Sequence, residues 1–416
     1  MSHPAPIIIV GAGHAGGRAA LALREQGYAG HLLLIGDEPH LPYERPALSK
    51  QLLLDSQPAD ACHIGSAEQY QAQAIERLAG VRVAAIQPQA RRIRLHDGRE
   101  LDYHRLLLAT GGRARHASLP GADLAGVQLL RTLDDAAALQ PRLQAGQRLL
   151  VVGGGFIGLE VAASARQLGC AVTVLEAGDR LAARALPPLI SEKLLALHRA
   201  RGVEVRLGCQ IAAFRGDGSV SAVALADGEL LACDTVLVGI GIQPNTELAA
   251  AAGLAVGNGI RVDARLRTSD AHIYAVGDVC EFPCPVSGQP QRLETWRNAE
   301  EQGRHVARSL LGADDAYAAL PWFWSDQFDH SLQLAGQLQA AANCVTRALP
   351  DDGVLLFYLD AAERLQGACG WGAGNSIARD IKLAEMLIRS GKALPAAALA
   401  DPASSLKSLL KGVTSV

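Results

Sequence analysis

Four β-branched residues in a row, Ile7, Ile8, Ile9 and Val10, run into glycines at 11, 13 and 16, and residues 18–26 then carry apolar positions at helical spacing. The pattern predicts strand, tight turn and helix. It returns at 149–152, a second apolar run, followed by Gly153, Gly155 and Gly158 and a helical stretch over 159–168. Each copy leads to another apolar run that ends near an acid, 32–35 before Asp37 and 172–175 before Glu176. The acid follows the middle glycine by 24 residues in the first copy and by 21 in the second, intervals that suit a strand-helix-strand unit. Both copies also close alike: 106–109 enters Thr110-Gly111-Gly112, and 235–238 enters Gly239-Ile240-Gly241 with Gln243 and Pro244 beyond. The chain is read as an internal repeat of two α/β halves.

A lone glycine turn of this spacing is an ordinary feature of many loops. Two of them in the same strand-helix-acid context point to two dinucleotide sites. The first glycine permits the turn, the second lets backbone approach a pyrophosphate, and the third lets helix and strand pack closely while the helix N-terminus faces the phosphate charge. A further strand-like run, 273–276, ends at Gly277-Asp278. An acid there can accept from ligand hydroxyls, the alternative being a simple turn or helix cap. Beyond about residue 320 the texture changes: Trp322 and Trp324 lie close together, alternating runs cover 331–334 and 354–359, and a helix is predicted over 376–390. The fold class that follows is α/β, two Rossmann-like dinucleotide-binding domains plus a C-terminal α+β domain.

Composition narrows the function classes. At 416 residues, 49% hydrophobic and 19% charged, the chain can fill several cores, which argues against extended disorder. Its 39 basic and 42 acidic side chains leave a net charge of −3, so no global field favours nucleic acid or an anionic membrane. Apolar runs stop well short of the roughly 20 residues that a spanning helix needs. Residues 1–6 leave no room for a secretory apolar region before Ile7. The eight cysteines, at 62, 170, 209, 233, 280, 284, 344 and 369, are scattered as in a reduced cytoplasmic protein.

Five longer segments are more specific than the glycines: Leu41-Pro-Tyr-Glu-Arg45-Pro-Ala-Leu-Ser-Lys50, Leu130-Arg131-Thr-Leu-Asp-Asp-Ala136, Gly239-Ile-Gly-Ile-Gln-Pro-Asn245, Glu294-Thr-Trp-Arg-Asn-Ala299 and Phe323-Trp-Ser-Asp-Gln327. Through them the chain resembles, along essentially its whole length, the FAD-dependent NADH:ferredoxin reductases of bacterial P450 and Rieske oxygenase systems, the putidaredoxin reductase and biphenyl dioxygenase ferredoxin reductase family. That family is glutathione-reductase-like. The resemblance implies FAD at the first turn, NADH at the second and a [2Fe-2S] ferredoxin as electron acceptor. It implies an FAD domain in two pieces, 1–112 and 248–320, an NAD domain over 113–247 and a C-terminal interface domain over 321–416. Gly11, Gly13, Ala15, Asp37, Arg45, Lys50, Arg131 and Asp278 are implied FAD contacts, with Val83 and Ala109 contributing main chain. Trp296 is implied to sit in a loop at the flavin pyrimidine edge and Trp324 near the isoalloxazine. Gly153, Gly155, Phe156, Ile157, Glu176 and Gly241 are the implied NADH contacts.

Hydride transfer needs the two rings aligned and the charge on the reduced flavin stabilised. Lys50 is the candidate cation and Glu160, expected to open the helix after the third glycine, its partner. The bland readings are a solvated lysine and a first-turn carboxylate that satisfies the helix dipole. Glu176, at a strand end, favours a 2′-hydroxyl over a 2′-phosphate, although Arg180 and Arg184 could meet a phosphate if their loop folds back. Residues 42–54 hold no cysteine, so no disulfide relays electrons there. Cys280 and Cys284 read chiefly as packing residues, with metal or redox use the alternative, and the cysteines lack cluster spacing. His14 is expected to point away from the pyrophosphate. Arg379, Lys382, Arg389 and Lys392 share about 140° of one helical face opposite Ile381, Ala384 and Ile388, either a docking face for an acidic ferredoxin or a solvated surface. Other functions on this scaffold are a rubredoxin reductase, an NADH oxidase and a redox sensor like apoptosis-inducing factor.

Overall fold

The computed structural model describes residues 6–285, 287–339 and 342–412. They form two compact units, one holding residues up to 118, 128–142 and 238–319, the other 119–127, 143–237 and 320 onward. Among the described residues no helix is long and apolar enough to cross a membrane.

The first unit is built on a parallel sheet with strand order 273–275, 105–108, 7–10, 32–35, 75–78. Every residue of Ile7–Val10 and of Leu32–Ile35 is buried, which is why these strands read as continuous apolar runs rather than alternating ones. Helices His14–Glu25 and Trp296–Leu310 cover one face, where Ala19, Ala20, Leu23, Val306 and Leu310 share a core with Ile7 and Ile9. The opposite face, with Ile8, Val10, Leu33 and Ile35, packs on Val83, Ile86, Ile93 and Leu95. These last come from an antiparallel meander of Val83–Gln87, Arg92–Leu95 and Glu100–Asp102, which the sequence reading did not anticipate. Each such aliphatic side chain removed from water contributes about 1.5–3 kcal/mol.

The second unit repeats the plan with strand order 204–206, 171–175, 148–152, 235–238, 127–128. Here the turn leads into helix Phe156–Gln167, and an antiparallel meander again follows, Ile211–Asp217, Ser219–Leu225 and Leu230–Ala232. The register accounts for one residue of the difference between the two acid intervals. Val10 pairs with Ile35 and Val152 with Leu175, so Glu176 is the first residue past its strand whereas Asp37 is the second, after Gly36. Glu176 therefore has Gly36, not Asp37, as its structural counterpart.

The region after 320 is an antiparallel sheet of five strands, ordered Trp322–Gln327, His330–Gly336, Leu365–Ala373, Val354–Leu359, Asn343–Ala348. Only two of these were predicted. Helix Ala378–Ser390 buries Ile381, Ala384, Leu387 and Ile388 against Phe357, Ala368 and Ile377. Arg347, 4% exposed, ties down the chain that follows: its guanidinium donates to the carbonyls of Ala398, Leu399 and Ser404. Three orphan carbonyls are satisfied by one side chain.

Candidate functional site: two glycine turns

In the first unit Gly11 has φ +109°, and a Cβ there would lie 2.1 Å from the Ala109 carbonyl oxygen. Glycine is required by both conformation and close approach. Gly13 is the N-cap of helix His14–Glu25 and supplies no side-chain cap, so the first amide N–H groups point outward without one. A Cβ on Gly13 would meet nothing nearer than Arg45 Nη2 at 3.6 Å, and one on Gly111 nothing nearer than Arg131 Nη2 at 3.6 Å. Two guanidiniums thus flank the turn, and each is anchored. Arg45 Nη2 is 2.9 Å from Glu38 Oε1, and its Nη1 donates to Tyr43 Oη at 3.0 Å and to the Arg131 carbonyl. Arg131 Nη2 is 2.7 Å from Asp278 Oδ2, and its Nε donates to the Gly112 carbonyl at 2.9 Å. Its backbone is fixed by a capping box in which Asp135 Oδ2 accepts from the amides of Arg131 and Thr132. A Cβ on Gly277 would touch Ala15 at 3.0 Å, which places Gly277-Asp278 against the turn.

Gly11, Gly13, Ala15, Arg45, Ala109, Arg131 and Asp278 are therefore brought together. Asp37 follows Gly36, where a Cβ would lie 2.5 Å from Ala12 Cβ of the turn; Asp37 itself is exposed and 3.3 Å from Nη2 of Arg82, the neighbour of Val83. Lys50 is half-buried at the end of the short turn Arg45–Ser49. Trp296 is not in a loop, as expected, but is the first residue of helix Trp296–Leu310, whose N-cap Thr295 accepts from the Asn298 amide. Its ring lies 5.2 Å from that of His14 at 80°. His14 Nε2 is 3.0 Å from Glu300 Oε2, to which Arg18 also donates at 2.7 Å while Arg304 donates to Oε1. Burial works to raise the Glu300 pKa, but those three donors outweigh it and hold the carboxyl at about 2. The sequence reading gave no role to Glu38, Tyr43 or Glu300, because none belongs to a glycine turn and each serves the site only through the arginine or histidine it holds.

In the second unit Gly153 has φ +105° and Gly155 is the N-cap of helix Phe156–Gln167, again without a side-chain cap. Glu176 is turned back on the loop: its carboxylate accepts from the Gly154 amide at 2.6 Å and the Gly178 amide at 2.7 Å. Arg180 is spent locally, donating to the Leu186 and Ala183 carbonyls and Ser191 Oγ, while Arg184 is exposed. Ile157 is 46% exposed beside the turn, and Phe156 packs on Phe323 at 4.4 Å between ring centroids. Glu160 is the fifth helical residue, not the first, and is buried, so the helix-dipole reading fails. Ser325 Oγ donates to its Oε1 at 2.6 Å. Trp324 lies on the same strand as Ser325, 5.3 Å from Trp322. Gly241, φ +96°, falls in the first unit, next to the ribbon in which Ile242–Pro244 pairs with Gly112–Ala114.

The sequence profile described as pyridine nucleotide-disulphide oxidoreductase matches residues 5–303, and one described as reductase C-terminal matches 322–410. The chain belongs to the pyridine nucleotide-disulphide oxidoreductase family. It is 45% identical, over 97% of its length and 99% of the relative's, to the anthranilate 1,2-dioxygenase system ferredoxin–NAD(+) reductase component of Burkholderia cepacia. It is 40% identical, over 97% and 98%, to the corresponding biphenyl dioxygenase system component of Paraburkholderia xenovorans. Among solved structures, the covalent putidaredoxin reductase–putidaredoxin complex superposes with a TM-score of 0.94 at 35% identity, covering all of both chains.

This family uses FAD and NADH. Both turns fit such groups: each opens a helix whose leading amides lack a side-chain cap, and the first adds two anchored guanidiniums suited to phosphate. Despite the family's description, no disulfide is formed among the described residues, and Cys280 and Cys369 are fully buried with thiols pushed well above their ordinary range by burial.

Proposed function

We propose that this protein carries electrons from NADH through FAD to a [2Fe-2S] ferredoxin that supplies a P450 or Rieske-type oxygenase, and that it acts in the cytoplasm. Bound FAD supplies the chemistry, accepting hydride from NADH and releasing electrons singly. The observation that carries the reading is the absence of a cysteine from residues 42–54, beside an intact FAD-type turn: a flavin here has no disulfide to pass its electrons to. The acceptor is then a separate protein, as the names of the relatives indicate. In this reading 1–112 and 248–320 serve FAD, 113–247 serves NADH and 321–416 serves the interface.

The remaining work falls to side chains. Gly11, Gly13, Ala15 and the helix amides hold the pyrophosphate of FAD, with Arg45 and Arg131 neutralising it. Asp278 orients Arg131 and accepts from the ligand's hydroxyl groups, while Asp37 and Val83 serve the adenosine end and Ala109 packs under the turn. Lys50 supplies positive charge to the reduced ring, Trp296 covers its pyrimidine edge and Trp324 its face. Gly153, Gly155, Phe156, Ile157 and Gly241 receive NADH, Glu176 accepts from its ribose, and Glu160 is the catalytic carboxylate of the nicotinamide site. The exposed face of helix Ala378–Ser390, with Arg379, Lys382 and Arg389 around Met386, docks the ferredoxin.

Anaerobic mixing tests this: NADH bleaches the yellow holoprotein, and reoxidation is fast only when an oxidised [2Fe-2S] ferredoxin is added. Rapid reoxidation by oxygen alone, with no acceleration by any ferredoxin, overturns the reading.

A further inference from the structure

The buried polar side chains of the second unit form a line that ends on Glu160. His198 Nε2 lies 2.6 Å from Gln327 Oε1, Gln327 Nε2 donates to Ser325 Oγ at 3.0 Å, and Ser325 Oγ donates to Glu160 Oε1 at 2.6 Å. None of the four is more than 4% exposed. They come from three elements: helix Pro188–Ala200, strand Trp322–Gln327 and helix Phe156–Gln167. Ser325 and Gln327 take the inward positions of their strand while Asp326 between them is exposed. An apolar pair there would satisfy the sheet, so two polar side chains facing inward ask for a further reason.

Hydrogen directions supply it. With the Gln327 amide oxygen on His198 and its NH2 on Ser325, the histidine must donate through Nε2, which assigns the Nε2–H tautomer. His198 Nδ1 then carries a lone pair, and it is buried without a hydrogen-bond partner. A proton on it would be a buried donor lacking an acceptor, and burial accordingly lowers the proton affinity of His198 against the opposing pull of Gln327. The ring stays neutral, and every hydrogen in the line points toward Glu160.

We propose that Ser325, Gln327 and His198 are positioning residues, a neutral hydrogen-bond line that holds the Glu160 side chain in one rotamer for the nicotinamide. This rests on the placement of Glu160 in that site made above. The line ties the C-terminal sheet to the nucleotide fold in the same unit, alongside the ion pairs Arg201–Asp329 and Lys193–Asp352, both 2.6 Å. Those pairs lie at or near the surface, whereas the buried line aims a functional group.

The test uses the FAD-loaded protein with two readouts, NAD+ affinity by titration calorimetry and the anaerobic rate of flavin reduction by NADH. Ser325→Ala is expected to lower the reduction rate about tenfold, the loss expected when a hydrogen bond to a charged group is removed. Ser325→Thr, which keeps the hydroxyl, recovers most of it. In a Glu160→Gln background Ser325→Ala costs nothing further in either readout, and nitrogen NMR of wild-type protein shows His198 protonated at Nε2. Equal losses in both backgrounds, or a lowered Tm with rate and affinity unchanged, would assign Ser325 to packing and overturn the proposal. An effect of Glu160→Gln too small to measure in either readout would overturn it as well, together with the role given to Glu160 above, while leaving NADH-to-ferredoxin turnover intact.

Discussion

The two glycine turns share a backbone and differ in what surrounds it. Around the first, Arg45 and Arg131 are each anchored to a carboxylate, and Glu300 beneath it gathers His14, Arg18 and Arg304. Around the second, Arg180 is drawn away into its own loop, Glu176 folds back on two amides, and Phe156 and Phe323 supply an apolar wall. Fixed charge aimed at a pyrophosphate suits a cofactor that stays, and a less charged turn suits a nucleotide that leaves after each turnover. On the function proposed above, the same strand-turn-helix motif is tuned for residence time by side chains outside the motif.

The sharpest way to break the comparison is to crowd both turns at the equivalent third glycine. A Cβ on Gly16 would lie 1.9 Å from the Gly11 carbonyl oxygen, whereas one on Gly158 would lie 2.5 Å from that of Gly153. Gly16→Ala is expected to cost more than about 3 kcal/mol and to yield colourless protein; Gly158→Ala should cost about 1–3 kcal/mol and keep its flavin. Denaturant melts and the flavin absorbance of the purified variants decide it, and equal costs would mean that the turns are equally tight. Next, Arg131→Ala leaves Asp278 without its ion-pair partner and removes a phosphate ligand, so FAD affinity should fall about a hundredfold, some 3 kcal/mol. Fluorescence titration of the apoprotein measures it, and an unchanged dissociation constant would break the assignment of this turn to FAD.

The charge beneath the first turn also predicts a pH response. The Glu300 carboxyl is held at about 2, below the ordinary carboxylate value, so its stabilisation is complete above about pH 4.5 and is lost as pH falls toward 2. Glu300→Gln should therefore cost about 2 kcal/mol at pH 7 and flatten the acid limb of stability between those values. Parallel acid limbs in chemical denaturation would refute it. At the second turn, Glu176→Ala frees two amides and removes the acceptor for a ribose hydroxyl, and should raise the NADPH-to-NADH ratio of kcat/KM about tenfold. A ratio that does not move would show that the folded-back carboxylate is structural.

Much of this could be read from the chain. Both turns follow from glycine spacing after buried runs, because a parallel strand covered on both faces leaves a continuous apolar signature such as Ile7–Val10. The meanders were missed because strands such as Glu100–Asp102 are short and mostly exposed, and leave little periodicity. Asp37 and Glu176 looked equivalent because sequence gives the interval but not the strand register, which puts them one position out of step. Glu160 was singled out, but its partners Ser325, Gln327 and His198 are far along the chain. The one local clue was inward polar residues in the strand at 322–327.

The smallest expected effect concerns the docking face. Its buried side matched expectation, since Ile381, Ala384 and Ile388 are all covered. Its basic side is weaker than a count of four cations implies, because buried Glu385 sits 3.4 Å from both Lys382 and Arg389 and offsets part of their charge. Arg379, exposed one turn closer to the helix start, should then contribute most to the field an acidic partner meets. Arg379→Glu is expected to raise the KM for ferredoxin about threefold at low salt and hardly at all at high salt, with flavin reduction by NADH unaltered. Lys382→Glu should do less at the same ionic strength, because the carboxylate it introduces is set against Glu385 on a face where the cation was already partly neutralised. If Lys382→Glu proves the more damaging of the two, Glu385 is not screening that face, and the ferredoxin reads the helix as a simple row of charges.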